Sequence, residues 1–208
     1  MSNEKATRTP RQARSIEKRR RLMDAAMRLF DRDGFEGTTA KAVAREAGVS
    51  IGTFYAYFSD KKELLMDILA EHTGEVHHLV FGKLGDAVRD GASGREIMRL
   101  AVAAGHATHW QPPGLLRVLL ALRHTDDDMR RFQEAEERAL LTRLHAILKI
   151  LAPRLRVTDR EAAAFILATA FEAVLHSAIV FEQDIERERL FDALADMGAA
   201  YLFADPDA

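Results

Sequence analysis

The sequence contains no cysteine, which excludes disulfides, zinc ribbons and thiol nucleophiles together. No uninterrupted apolar run approaches the roughly 20 residues that cross a bilayer. The arginine-rich N-terminal stretch also lacks the apolar core of a secretory signal. These absences predict a cytoplasmic protein with no membrane partner. Missing too are a glycine-rich phosphate loop, a nucleophile elbow and a Cys/His cluster. No segment alternates with the period of two that a half-buried strand needs, and no internal repeat is visible. What remains is a chain of 208 residues, 48% hydrophobic and 30% charged. That is long enough to bury a sizeable core without staples, and the expected fold class is all-α.

The net charge of −2 hides an asymmetry. Up to Lys62 the basic residues outnumber the acidic ones and leave about +6, so the remainder carries about −8. A basic head on an acidic body suits a nucleic-acid contact followed by a domain that makes none; a solvated basic tail would look the same. Residues 1–14 hold almost nothing apolar and read as a disordered basic arm. From Ile16 onward Leu22, Ala25, Ala26, Leu29 and Phe30 recur at helical spacing, and Gly34 supplies a C-terminal cap. Thr38 or Thr39 opens a short second helix. Gly48-Val49-Ser50 breaks it, and Ser50 caps a third helix over 51–58. Asp60 and Glu63 stand at capping-box spacing before a fourth helix that runs to about Phe81. Further helices are predicted over 95–109, 113–124, 127–151, 159–181 and 186–203.

The stretch from Thr38 to Phe58 carries the most information. Two helices joined by a short turn holding glycine make a helix-turn-helix. Ala44 and Ala47 are small enough for close approach, Val49 plugs the gap, and Gly48 gives the turn its special dihedral. Phe54 and Phe58 are expected in the core. Thr53, Tyr55, Ala56 and Tyr57 are left facing outward, where hydroxyls suit phosphates and base edges; an ordinary helical hairpin with an aromatic core is the competing reading.

The run Gly34-Phe35-Glu36-Gly37-Thr38-Thr39, then Val43-Ala44, Ala47-Gly48-Val49-Ser50, Gly52-Thr53-Phe54-Tyr55, Tyr57-Phe58, Lys61 and Glu63-Leu64-Leu65 resembles the TetR family of transcriptional regulators. The match covers roughly residues 16–70. The resemblance implies that Thr39 and Tyr55 contact DNA phosphate and that Lys61 grips the backbone at the start of the fourth helix. It puts Thr53 and Tyr57 on the recognition helix, with Gly52 and Ala56 beside them. Ala40 and Ile51 depart from the polar or basic residues common there, and Ile51 can instead pack on a thymine methyl. The partners so implied are double-stranded DNA with a palindromic operator, a small-molecule effector and a second copy of the chain. The function implied is that of a sequence-specific regulator, a repressor released from its operator by that effector, with no enzymatic activity. The implied organisation is the arm 1–14, a DNA-binding domain 15–62 and a ligand-binding and dimerisation domain 63–208.

In the body, the segment from Ala162 to Phe181 is apolar almost all round, as in a helix buried on several sides. Leu190, Leu194, Met197 and Tyr201 form one stripe on the next helix. The resemblance implies homodimerisation through these last two helices. Trp110, with His106 and His109 beside Pro112-Pro113, marks a helix break of the kind that opens onto a pocket. Arg117, Arg123, Phe171 and His176 are candidates to line that pocket, and arginines there would favour an anion. The alternative is a helical-bundle metalloprotein, since Glu75 and His78 form the Glu-x-x-His pattern of di-iron bundles. That chemistry requires a second such pair, and none is present. Glu172 and His176 stand at i, i+4 instead. Neither a metal nor another cofactor is expected.

Overall fold

The structure, a computed structural model, describes residues 10–108, 113–181 and 184–208. Among these the regular structure is helical apart from one isolated antiparallel bridge between Leu155 and Phe203. The helices are α1 (Pro10–Gly37), α2 (Ala40–Glu46), α3 (Ile51–Tyr55), α4 (Lys61–Arg89), α5 (Gly94–Thr108), α6 (Pro113–Arg123), α7 (Asp127–Ile150), α8 (Arg160–Val180) and α9 (Arg187–Leu202). A 3-10 turn over Ala152–Arg154 follows α7.

Most boundaries follow from side-chain caps. Thr39 caps α2 by accepting from the Ala42 amide, and Ser50 caps α3 by accepting from that of Thr53. Asp126 and Asp159 do the same for α7 and α8. Each acceptor satisfies an amide that has no partner within the helix. At the start of α4, Asp60 accepts from the amides of Lys62 and Glu63, both at 2.8 Å. Glu63 reaches back to the Ser59 amide at 2.6 Å, one residue before a strict capping box.

Three expectations need correction. Residues 10–14, read as part of the arm, are helical, because α1 begins at Pro10, a residue suited to a first turn. The fourth helix runs on to Arg89; Gly74 and Gly82, where an added Cβ would meet nothing within 4 Å, do not interrupt it. Finally, α8 is long and apolar enough, by length and composition, to cross a membrane, with a mean hydropathy of 1.8. Thr169, Glu172, His176 and Ser177 split its apolar run along the chain, which is why no continuous stretch stands out.

The chain divides into two compact units, one ending at Ala70 and one beginning at Glu71, rather than at residue 62. In the first, α1 buries Leu22, Ala25, Ala26, Leu29 and Phe30, α2 adds Val43 and Ala44, and Phe54 and Phe58 fill the centre. The first turns of α4 complete this core with Leu64, Leu65, Ile68 and Leu69, and Arg19 pairs with Asp67 at 2.7 Å. Those eight residues beyond Lys62 therefore belong to the head.

The second unit packs α5 against α9 and α7 against α8. Ile97, Met98, Val102, Leu148, Leu151, Leu194, Ala199 and Phe203 lie in its core. Small residues on α8 and α9, Ala163, Ala164, Ala195 and Ala199, are buried almost completely and let helices approach closely.

Candidate nucleic-acid interface and ligand cavity

The head presents α3 on a tightly held turn. The Gly48 amide donates to the Arg45 carbonyl at 3.1 Å, and the Val49 amide to that of Ala44 at 2.9 Å, the paired bonds of a Schellman motif. Gly48 has φ +64, a left-handed conformation that a Cβ disfavours. The Arg21 guanidinium of α1 covers this turn and donates to the carbonyls of Ala47 and Gly48. The angle between α2 and α3 is thus pinned by backbone bonds and by one arginine.

The outward face of α3 is built as follows. Ile51 is 42% exposed and Tyr55 59%, while Gly52 and Ala56 are also exposed. Thr53 is half-buried, its hydroxyl 2.9 Å from that of Ser50. Lys41 and Arg45 stand exposed on α2. Thr39 is exposed, and its hydroxyl oxygen accepts the capping bond at 3.1 Å, which keeps the O–H available as a donor.

Two residues behave differently from their expected roles. Tyr57 does not lie on the recognition helix, since α3 ends at Tyr55. Its amide and that of Phe58 both turn back to the Phe54 carbonyl, which lets Phe58 drop into the core at 1% exposure. The Tyr57 ring is half-buried, with its hydroxyl 2.9 Å from Ser15 Oγ on α1. Lys61 does not extend freely from α4. Its ammonium donates to the Phe35 carbonyl at 2.7 Å, lies 4.3 Å from the centre of the Phe35 ring and approaches Glu36 at 3.8 Å. Its first contact is with the last turn of α1, beyond the kink at Gly34.

Within the second unit a cavity of about 320 Å³ opens among α4, α5, α6, α7 and α8, a size suited to a small organic ligand. Its lining is sorted along three helices. On α4, His72, Thr73 and His77 precede Val80, Phe81 and Leu84; on α7, Phe132 and the polar Gln133, Glu136 and Glu137 precede Leu140, Leu144, Ile147 and Leu148. On α8, which packs against α7, the order reverses, with Ala164 and Leu167 preceding Glu172 and His176, between which Leu175 also lines the cavity.

The polar groups meet one another across helices. Arg123 of α6 approaches Glu172 at 3.8 Å, and His176 approaches the same oxygen at 3.7 Å. Burial raises the Glu172 pKa; Arg123 opposes the shift and Glu137 adds to it. His77 is 8% exposed, with Glu136 3.8 Å from its Nδ1, too long for a hydrogen bond. Burial, helped by the Arg143 charge, lowers its pKa and holds the ring neutral.

Residues 22–68 match the model of the bacterial regulatory proteins, tetR family. Residues 95–202 match that of the tetracyclin repressor-like C-terminal domain. The chain belongs to the TetR family. A curated relative, the HTH-type transcriptional repressor KstR of Rhodococcus jostii, is 43% identical over 54 residues. That alignment covers 26% of this chain and 26% of the relative, so the chain is matched to only about a quarter of that repressor's length. A TetR-family regulator from Mesorhizobium loti superposes with a TM-score of 0.74 at 19% identity, covering 92% of this chain and 99% of that one. The regulator FadR of Bacillus subtilis, solved with stearoyl-CoA, gives 0.70 at 19% identity, covering 86% and 96%.

The two models matched describe bacterial regulatory proteins and a tetracyclin repressor-like domain. The di-iron alternative on Glu75 and His78 is set aside on that ground. Both of those side chains are exposed, and among the described residues no three His, Asp or Glu gather as a metal site.

The structure distributes the expected pocket residues unevenly. Arg123, Phe171 and His176 line the cavity. His106 does not; its ring packs on Phe191 of α9, 4.8 Å between centres. Arg117 does not either, because it lies on the exposed side of α6. His109 and Trp110 fall outside the described residues. Sequence reasoning missed His72, His77, Gln133, Glu136 and Glu137. The signal that finds the α7 residues is the stripe from Gln133 to Leu148, polar in its first turn and apolar after it.

Proposed function

We propose that this chain is a sequence-specific, DNA-binding transcriptional repressor, released from its operator by a small molecule held in the body cavity. It acts in the cytoplasm as a homodimer on palindromic double-stranded DNA. The domain roles follow the units: the head to Ala70 for DNA, the remainder for ligand and dimer.

The observation that carries the reading is the pairing of two built features in one chain. One is a pinned turn that presents the exposed face of α3; the other is a sorted cavity lined by the same α4 that begins at Lys61. In the head, Ile51, Gly52, Thr53 and Ala56 meet base edges, and Thr39, Tyr55 and Lys61 meet phosphates. Lys61 has three donors and reaches phosphate while keeping its bond to Phe35. Tyr57 serves chiefly to fix α1 against the recognition turn.

The dimer reading rests on exposed apolar side chains. Phe165 and Ile166 of α8 are 51% and 49% exposed, and Met197 of α9 is 48% exposed, although α8 and α9 already pack together. A second copy would cover this face isologously. Two heads so joined would meet successive major grooves about 34–36 Å apart or a multiple. The stearoyl-CoA of the FadR structure supports an elongated organic ligand in a body of this fold. A ligand works as a release signal only if it favours the arrangement that cannot bind DNA.

The test is genomic footprinting of the full-length protein, followed by titration of the sites found. Palindromic sites bound by a dimer support the reading. A monomer at micromolar concentration in light scattering, or binding with no preference among DNA sequences, overturns it.

A further inference from the structure

The ligand class can be narrowed from the charges that face the cavity. Four ionic side chains line it: Arg123, Glu136, Glu137 and Glu172. Arg123 approaches Glu172, which leaves Glu136 and Glu137 as the excess. Of the three lining histidines, His77 is buried and held neutral, and His176 lies against the Glu172 oxygen that Arg123 approaches; with His72 and His176 counted as neutral, as in the net charge of the whole chain, the excess stands. Arg143 acts on His77, but it stacks on Phe81 and is not among the lining residues. The polar end therefore carries net negative charge, contrary to the anion that an arginine-lined pocket would have favoured.

The opposite end is hydrocarbon. On α7 the lining continues from Leu140 through Leu144, Ile147 and Leu148 to Leu151 just past its end, and Phe203 and Leu202 join it. From Leu140 to Leu151 the rise is about 16 Å, the length of a medium alkyl chain. The antiparallel order of α7 and α8 brings Glu137 and Glu172 to the same end. That Glu137 acts on the Glu172 carboxyl agrees with this placement.

We propose that the cavity takes an amphiphilic cation, with an organic ammonium head among Glu136, Glu137 and Glu172 and an alkyl tail toward Leu148 and Phe203. The proposal rests on the reading of this cavity as the effector site. Like-charged carboxylates that face one cavity repel each other, and a bound cation relieves that repulsion while an anion adds to it. The tail supplies affinity without regard to charge, so the head group decides among ligands of equal chain length.

The experiment is calorimetric titration of the full-length protein, near neutral pH and low salt, with decyltrimethylammonium, decanoate and decanol below micellar concentration. The expected result is that the cation binds about tenfold or more tighter than decanoate, with decanol between them. Glu137→Gln and Glu172→Gln should narrow that gap between cation and anion. Decanoate binding as tightly as the cation overturns the charge assignment while the cavity reading stands. Failure of all three to bind overturns the cavity reading and the proposal with it. If the variants do not fold, the wild-type comparison of the three chains still decides.

Discussion

Replacing Lys61 with methionine keeps the aliphatic stem and removes the ammonium, and so separates the two roles assigned to this side chain. In the folded head the ammonium donates to the Phe35 carbonyl at 2.7 Å and sits 4.3 Å from the Phe35 ring. A hydrogen bond to a charged donor contributes about 1.5–3 kcal/mol when buried, and an exposed cation–π contact about 0.5–1 kcal/mol. The lysine side chain is 24% exposed, and water partly replaces the lost donor, so about 1–2 kcal/mol is expected. The approach to Glu36 adds little, because that carboxylate is 90% exposed. For a chain of this size that corresponds to a fall in Tm of about 2–8 °C, read by thermal denaturation of the full-length protein. On DNA, removing one phosphate-contacting charge should reduce the salt slope by about 1, equally for operator and random sequence. Tyr55→Phe is the control, weakening both DNAs with the slope unchanged. A Tm within about 1 °C of wild type would refute the structural role derived from the Phe35 contact. An unchanged slope with a lowered Tm would remove Lys61 from the phosphate contacts and leave it as a positioning residue.

Gly48→Ala should lower stability by about 1–2 kcal/mol in chemical denaturation, because an L side chain is strained at φ +64; the new Cβ also meets Arg21 Nη2 at 2.7 Å and displaces it from the turn. Phe165→Glu should yield a monomer in sedimentation with the helical circular-dichroism signal intact, since that ring is 51% exposed in the single chain. His77 is neutral when folded, its pKa lowered from 6.5. The unfolded state therefore binds the extra proton, and stability present above about 6.5 should fall as pH drops below it. His77→Leu should flatten that acid limb in urea titrations between about pH 7 and 5.

The head was legible because its signals are local. Thr39 and Ser50 cap by bonds to amides three residues on, and Gly48 announces a left-handed turn regardless of distant packing. The long-range contacts were not legible by the same means. Lys61 reads as a free cation in sequence, yet the carbonyl that holds it belongs to Phe35, on the far side of α2 and α3. Tyr57 reads as one more residue of a helix, yet the burial of Phe58 ends that helix two residues earlier. In both cases the tertiary core, not local propensity, decides where the polar atom goes.

The cavity posed a harder problem, because its chemistry depends on which side of each helix faces inward. Histidine beside tryptophan drew attention to the break after α5, and His106 then proved to pack on Phe191. The informative pattern was the gradient along α7, from Gln133, Glu136 and Glu137 to Leu144 and Leu148. Taken alone, that stripe describes an amphipathic helix whose first turns meet solvent. It becomes evidence about a ligand only when α8, running the other way, puts Glu172 and His176 at the same end, and when α4 adds His72 and His77 there. Three helices that agree on one polar end and one apolar end define an axis, and the sign of the charge at the polar end then selects the head group a ligand must carry.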